Sequence, residues 1–209
     1  MKRILCYGDS NTWGYRPDGQ GRFDVPKTWP GVMAAALEGQ AVVDIDGLCG
    51  RTTTIPDPVE GEHLNGAMYL LPCLLAHSPL DLVIIKLGCN DQKRRFNMHA
   101  IDIARSVARL VRIVQTSGAN LGSSPEILVI QPAPVKECSF KEAFAGATER
   151  ARGMDQAFKN EVEVLGVHLL NEGEFVESSE VDGIHLELDA HALLGEVVTE
   201  RVKQILNLH

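Results

Sequence analysis

No two cysteines in this chain are spaced Cys-x-x-Cys, and their total of five in 209 residues is odd. That spacing supports neither a disulfide framework nor a zinc knuckle. The residues around Cys6 and Cys73 are apolar, which favours reduced, buried thiols and a reducing compartment. The seven histidines include no His-Glu-x-x-His or comparable ligand spacing, so no metal is expected. No Gly-x-Gly-x-x-Gly or Walker-type loop follows an apolar run, which removes the usual dinucleotide and nucleoside-triphosphate cradles, and no cofactor is expected. Basic residues are also short: 20 Lys and Arg against 28 Asp and Glu give a net charge of -8. A polyanion would be repelled, so neither a nucleic-acid nor a membrane partner is expected. The cluster Lys93-Arg94-Arg95 reads as a solvated corner after a strand. No apolar stretch is long enough to span a bilayer, and no signal-peptide core follows Met1-Lys2-Arg3-Ile4-Leu5. A cytoplasmic location is the expectation. Internal repeats and low-complexity segments are absent.

What remains is ordinary globular composition, 44% hydrophobic and 23% charged, at a length that fits one domain over residues 1–209. Apolar runs of strand length recur at Arg3–Tyr7, Ala41–Ile45, Leu82–Leu87, Ile127–Ile130 and Val167–Leu170. They are continuous rather than alternating, as in parallel strands covered on both faces. Helical periodicity lies between them. Ala104, Val107, Val111 and Val114 share a face, as do Phe144, Ala147, Ala151, Met154 and Phe158. So do Leu194, Val198, Val202 and Ile205, after Asp189 as N-cap. The stretch Leu64–His77 also reads as helical, kinked or split at Pro72. The alternation predicts a doubly wound, three-layer α/β/α domain with a parallel sheet of about five strands, for which 2-1-3-4-5 is the natural order. Residues Arg16–Lys27 and Gly118–Pro125 read as surface loops, the first either a rim or lid or a plain connector.

In such sheets ligands bind beyond the carboxyl ends of the strands, where the strand order reverses. Gly8-Asp9-Ser10-Asn11 ends the first strand, Gly50 follows the second, and Gly88-Cys89-Asn90-Asp91 follows the third. Asp182-Gly183-Ile184-His185 stands before the last helix. Each motif has a plain structural reading: Ser10 as a helix N-cap, Gly50 as a turn glycine, Asn90 tying down its own loop beside Asp91, Asp182 and His185 as a structural pair. Together they supply the parts of acyl transfer through a serine. Ser10 is the candidate nucleophile, His185 its base, and Asp182 the carboxylate that orients the imidazole. The backbone N–H groups of Ser10 and Gly50 and the Asn90 amide are the candidate oxyanion donors. Trp13 and the loop after it are candidates for the substrate pocket, with core packing or plain exposure equally open for Trp13.

These blocks resemble the SGNH hydrolases, also called the GDSL family. Gly8-Asp9-Ser10-Asn11 matches the first block, with Asn11 where leucine is more usual; Gly50 falls in the second, Gly88-x-Asn90-Asp91 is the third and Asp182-x-x-His185 the fifth. The resemblance covers nearly the whole chain. It is greatest to the bacterial arylesterase/acyltransferase branch, through Arg3–Ser10, Gly50-Arg51-Thr52-Thr53, Leu64-Asn65-Gly66-Ala67 and Pro79–Ile85. It implies a flavodoxin-like fold, a metal-free serine esterase acting on small-molecule short-chain or aryl esters, acyl transfer to alcohols or peroxide in some members, and a homo-oligomer. Deacetylation of carbohydrates is an alternative within the same chemistry. Outside it stand a flavodoxin-like binding module without catalysis, a metallohydrolase, and a cysteine nucleophile drawn from Cys49 or Cys89.

Overall fold

The computed structural model describes residues 1–137 and 141–209; Cys138 lies outside them. Five parallel strands form one sheet: β1 (Lys2–Gly8), β2 (Ala41–Gly47), β3 (Leu82–Lys86), β4 (Glu126–Gln131) and β5 (His168–Asn171), in the order β2-β1-β3-β4-β5. Each lies on an apolar run read from the sequence, and the expected order is the one found. β2 and β5 are only partly buried, because an edge strand has a neighbour on one side alone. That leaves room on β2 for Asp44 and Asp46 within a run read as fully covered.

Alternate residues of each central strand feed two separate cores. Leu5, Tyr7, Val83, Ile85, Ile127 and Val129 pack on one side against α3 (Gly66–His77), α4 (Ala100–Thr116) and α7 (Met154–Glu161). Ile4, Cys6, Leu82, Ile84, Leu128 and Ile130 pack on the other against α2 (Trp29–Ala36) and α8 (Leu188–Leu206). This is the two-fold side-chain alternation of a strand with helices on both faces, and it yields the expected α/β/α layers. Among the described residues no helix is long and apolar enough to cross a membrane.

Three helical expectations change. The single helix read through Phe144–Phe158 is three pieces, α5 (Lys141–Phe144), α6 (Ala147–Arg150) and α7. Gly146 and Gly153 separate them with φ of 76° and 80°, a left-handed conformation that a right-handed helix cannot continue. The last helix begins at Leu188, with the extended Glu187 rather than Asp189 at its N-cap; Asp189 sits in the first turn, where its charge meets the positive helix end. α3 starts at Gly66 and runs on through Pro72 without splitting. The proline removes only the bond to the Met68 carbonyl, and both residues are exposed. Asn65 caps this helix by accepting from the Ala67 N–H.

The charged triplet also differs from expectation. Arg94 is exposed, but the Lys93 ammonium is buried and lies 2.8 Å from Glu60 and 3.8 Å from the fully buried Asp57. Arg95 pairs with the same two carboxylates. Two acidic residues from the loop before α3 thus pin the turn after β3, so this corner is an ion-pair network.

Phe158 is fully buried between α7 and the sheet. Phe158→Ala should lower the unfolding free energy by roughly 3–5 kcal/mol, read as a shift of the chemical denaturation midpoint at unchanged slope.

Candidate active site

The parallel register sets the stage. Gly8 of β1 pairs with Gly47 of β2 on one side and Lys86 of β3 on the other, so three loops leave the sheet at one level, at the reversal of strand order. α1 (Ser10–Trp13) begins in the first of them. Its N-cap is Asp9, whose carboxylate accepts from the Asn11 N–H at 3.0 Å. The capping role open to Ser10 is therefore taken by its neighbour. The Ser10 hydroxyl instead lies 2.9 Å from His185 Nε2.

Asp182 holds the other side of that imidazole. Its Oδ2 is 2.5 Å from His185 Nδ1, while Oδ1 accepts the backbone N–H groups of Ile184 and His185, each at 2.9 Å. Burial alone would raise this carboxyl. The hydrogen bonds from the ring and the two N–H groups outweigh it and keep Asp182 below the ordinary carboxylate range. An ionised Asp182 fixes Nδ1 as the protonated nitrogen and leaves Nε2 to accept from the serine. Hydroxyl, imidazole and carboxylate, 172 or more positions apart except within the last loop, form one hydrogen-bonded chain.

The remaining sequence candidates gather at the same place. Ser10, Gly50, Asn90 and His185 line one cavity of about 190 Å³, together with Tyr15, Cys49, Glu60, Lys93, Ala143, Phe144 and Ile184. Gly50 adopts φ 82°, a turn that favours glycine and lets backbone form the cavity wall. Asn90 does not tie down its own loop: its Nδ2 donates to the Arg51 carbonyl at 3.1 Å. Asp91 turns away from the cavity and accepts from the Thr53 N–H and hydroxyl. Trp13 is not among the lining residues, and neither is any residue of loop 16–27. Arg22 lies over the Trp13 ring and donates to its carbonyl, which holds the indole against the loop. Tyr15 lines the cavity in its place, its ring 4.5 Å from that of His185.

Sequence reasoning missed the part played by two buried polar residues among others. Asn11 spans the two ends of the site: its Nδ2 donates to the Ile184 carbonyl at 3.1 Å and its Oδ1 accepts from Leu186 N–H at 3.0 Å. A leucine could pack there but could not grip both neighbours of His185. Its adjacency to Ser10 was the available signal. Lys86, read only as part of the apolar run Leu82–Leu87, is the second. It is buried beside Glu172, at 2.9 Å, and Glu172 also accepts from the Ala133 N–H. Burial would lower this ammonium, but Glu172 and Asp9 hold it raised and charged. The two cysteines near the cavity behave as packing residues. Burial raises the thiols of Cys49 and Cys89, disfavouring the thiolate that nucleophilic attack requires.

A small cavity over a serine, at the carboxyl edge of a doubly wound sheet, puts the chain in the class of α/β/α hydrolases. The model of the GDSL-like Lipase/Acylhydrolase family matches residues 6–193, and the chain belongs to that family. Among solved structures it resembles the aryl esterase of M. smegmatis, with 37% identity and a TM-score of 0.92 over 98% of this chain and 100% of that one. It is similar to a carbohydrate acetylesterase from Sinorhizobium meliloti, with 32% identity and a TM-score of 0.93 over 98% and 100% of the two chains. It is also 30% identical over 122 residues to an arylesterase of Vibrio mimicus. That match covers 57% of this chain and 52% of the relative, so the chain spans about half the length of the curated relative it matches.

Asp91 generates a prediction about pH. Burial raises its carboxyl to about 6 despite the bonds from Thr53, so the folded state holds this proton more tightly than the unfolded chain. The resulting stability is complete below the unfolded value near 4 and is lost as pH rises through about 6, a span worth about 3 kcal/mol. Asp91→Asn lacks that loss. The stability of the variant relative to the parent should therefore climb between pH 4 and 7, measured by paired thermal melts across that range.

Proposed function

We propose that the protein is a serine esterase that cleaves short-chain or aryl carboxylic esters through an acyl-enzyme. The observation that carries this reading is His185, placed 2.9 Å from the Ser10 hydroxyl on one side and 2.5 Å from Asp182 on the other. A neutral hydroxyl is a weak nucleophile until a base takes its proton. His185 Nε2 is in position to do so as Ser10 Oγ attacks the ester carbonyl, and Asp182 stabilises the imidazolium that forms. The carbonyl oxygen then carries negative charge. The Ser10 N–H, the Gly50 N–H and the Asn90 amide are its donors in this mechanism. His185 returns the proton to the departing alcohol. Water, or an alcohol or peroxide in acyl transfer, then releases the acyl group by the same steps in reverse.

The cavity supports a short acyl group. Its volume of about 190 Å³ is below the roughly 300–1,000 Å³ of pockets that hold drug-sized ligands. Tyr15, Phe144 and Ile184 supply apolar surface, and Glu60 and Lys93 add a carboxylate and an ammonium to the lining. A second reading within the same chemistry is removal of acetyl groups from carbohydrates, because a carboxylate and an ammonium suit sugar hydroxyls. The similarity to the Sinorhizobium meliloti acetylesterase supports it as well.

Ser10→Ala, assayed on an aryl acetate, should lose at least about a thousandfold in kcat and should no longer take up a fluorophosphonate. Parent protein should show a burst of phenol equal to one acyl group per chain. Full activity in the variant ends the proposal. A panel of acetylated sugars against aryl acetates separates the two substrate readings by their kcat/KM.

A further inference from the structure

Arg51 is buried and does not itself line the cavity, yet it bonds to or borders all three segments that carry oxyanion donors. Its Nη1 donates to the Gly8 carbonyl at 2.8 Å and to the Asp46 carbonyl at 2.7 Å, and its Nη2 to Asp46 Oδ1 at 2.7 Å. The guanidinium carbon lies over the Tyr7 ring, 4.0 Å from its centre. Its own backbone carbonyl accepts one N–H of the Asn90 amide, and its N–H donates to Leu48. Gly8 stands two residues before Ser10, and Gly50 is covalently next to Arg51. A single side chain with its peptide therefore joins the ends of β1 and β2 and reaches the loop after β3.

We propose that Arg51 is the positioning residue of the oxyanion hole, and this rests on the serine-esterase reading above. Donors stabilise a developing oxyanion only when their directions are set before charge appears. The Gly8 carbonyl, held by Leu48 N–H at 3.1 Å and by Arg51, orients the chain that presents the Ser10 N–H. Anchoring the fork to Asp46 fixes the 46–51 turn that carries the Gly50 N–H. The Asn90 amide has two N–H groups: the Arg51 carbonyl takes one, which fixes the plane of the amide and directs the other toward the cavity.

The fork geometry decides what replacement should do. Lysine keeps the charge, but a single ammonium on a flexible stem cannot span the Gly8 carbonyl, the Asp46 carbonyl and the Asp46 carboxylate at fixed angles, nor stack on Tyr7. The ground-state ester carbonyl, being uncharged, is far less sensitive to donor direction. The defect belongs in kcat, with KM nearly constant.

The experiment measures kcat and KM for an aryl acetate in Arg51→Lys, each per active site titrated with a fluorophosphonate. Phe158→Ala, weakened at a core residue that does not line the cavity, serves as the stability control. The expected result is a fall of about tenfold to a hundredfold in kcat, with KM within about threefold, while Phe158→Ala keeps the parent kcat at a temperature where both variants are folded. Arg51→Lys with the parent kcat overturns the inference and leaves the esterase reading standing. An equal loss of kcat in Phe158→Ala overturns it too, since loss of stability alone would then explain the effect. If Arg51→Lys does not fold, Asp46→Ala frees one arm of the fork from the edge strand; it should lose about three- to tenfold in kcat at constant KM, and an unchanged kcat refutes the proposal. A parent that neither turns over the ester nor takes up the phosphonate brings down the esterase reading, and this inference with it.

Discussion

Parallel pairing of the three strands β2, β1 and β3 is the constraint on which the rest of the molecule depends. Parallel strands put all their carboxyl ends on one edge, and the pairing of Gly8 with Gly47 and Lys86 levels those ends to within a residue. The loops that follow have nowhere to go but over that edge. Slipping β1 by one position would exchange the residues facing the two cores, moving Leu5 and Tyr7 to the side now filled by Ile4 and Cys6. The apolar layers thus enforce the register, and the register delivers Ser10, Gly50 and Asn90 to one cavity.

Polar contacts then do what apolar packing cannot. Hydrophobic burial is non-directional, so it brings loops close without orienting any donor or lone pair. Orientation comes from Asp9 capping α1, Asn11 gripping the backbone on both sides of His185, Asp182 bonding its imidazole, and Asp91 accepting from Thr53. Several of these groups are almost wholly buried. A buried polar group without a partner is costly, which makes each contact sensitive to the loss of its mate. At Asp91 the N–H and hydroxyl of Thr53 do not fully offset desolvation, and the carboxyl is raised.

The cavity lining mixes apolar and charged groups. Tyr15, Phe144 and Ile184 share it with Glu60 and Lys93, and the charged pair is itself part of the network that includes Asp57 and Arg95. Charges already engaged with one another are less free to capture a charged ligand. They still offer lone pairs and N–H groups to hydroxyls.

Strand positions, the α/β/α layers and the pieces of the site were legible in the sequence because they are local. A buried strand announces itself as a short Val/Ile-rich run, and Gly-Asp-Ser, Gly-x-Asn-Asp and Asp-x-x-His each carry their chemistry within four residues. The sheet order was legible only as the natural choice for that size. Where the reading failed, the cause was non-local. Apolar period could not show that Gly146 and Gly153 turn left-handed, that Lys93 would find Glu60 and Asp57, or that Tyr15 rather than Trp13 would face the cavity. Arg51 gave no sign of its reach, since a guanidinium's partners on other strands are set by register, and Asn11 showed only its adjacency to Ser10. The amino-acid order by itself determined which residues are chemically able and where each element lies; which of them meet, at what distance and angle, was decided by tertiary packing, because hydrogen bonds between segments more than a hundred residues apart depend on the placement of both.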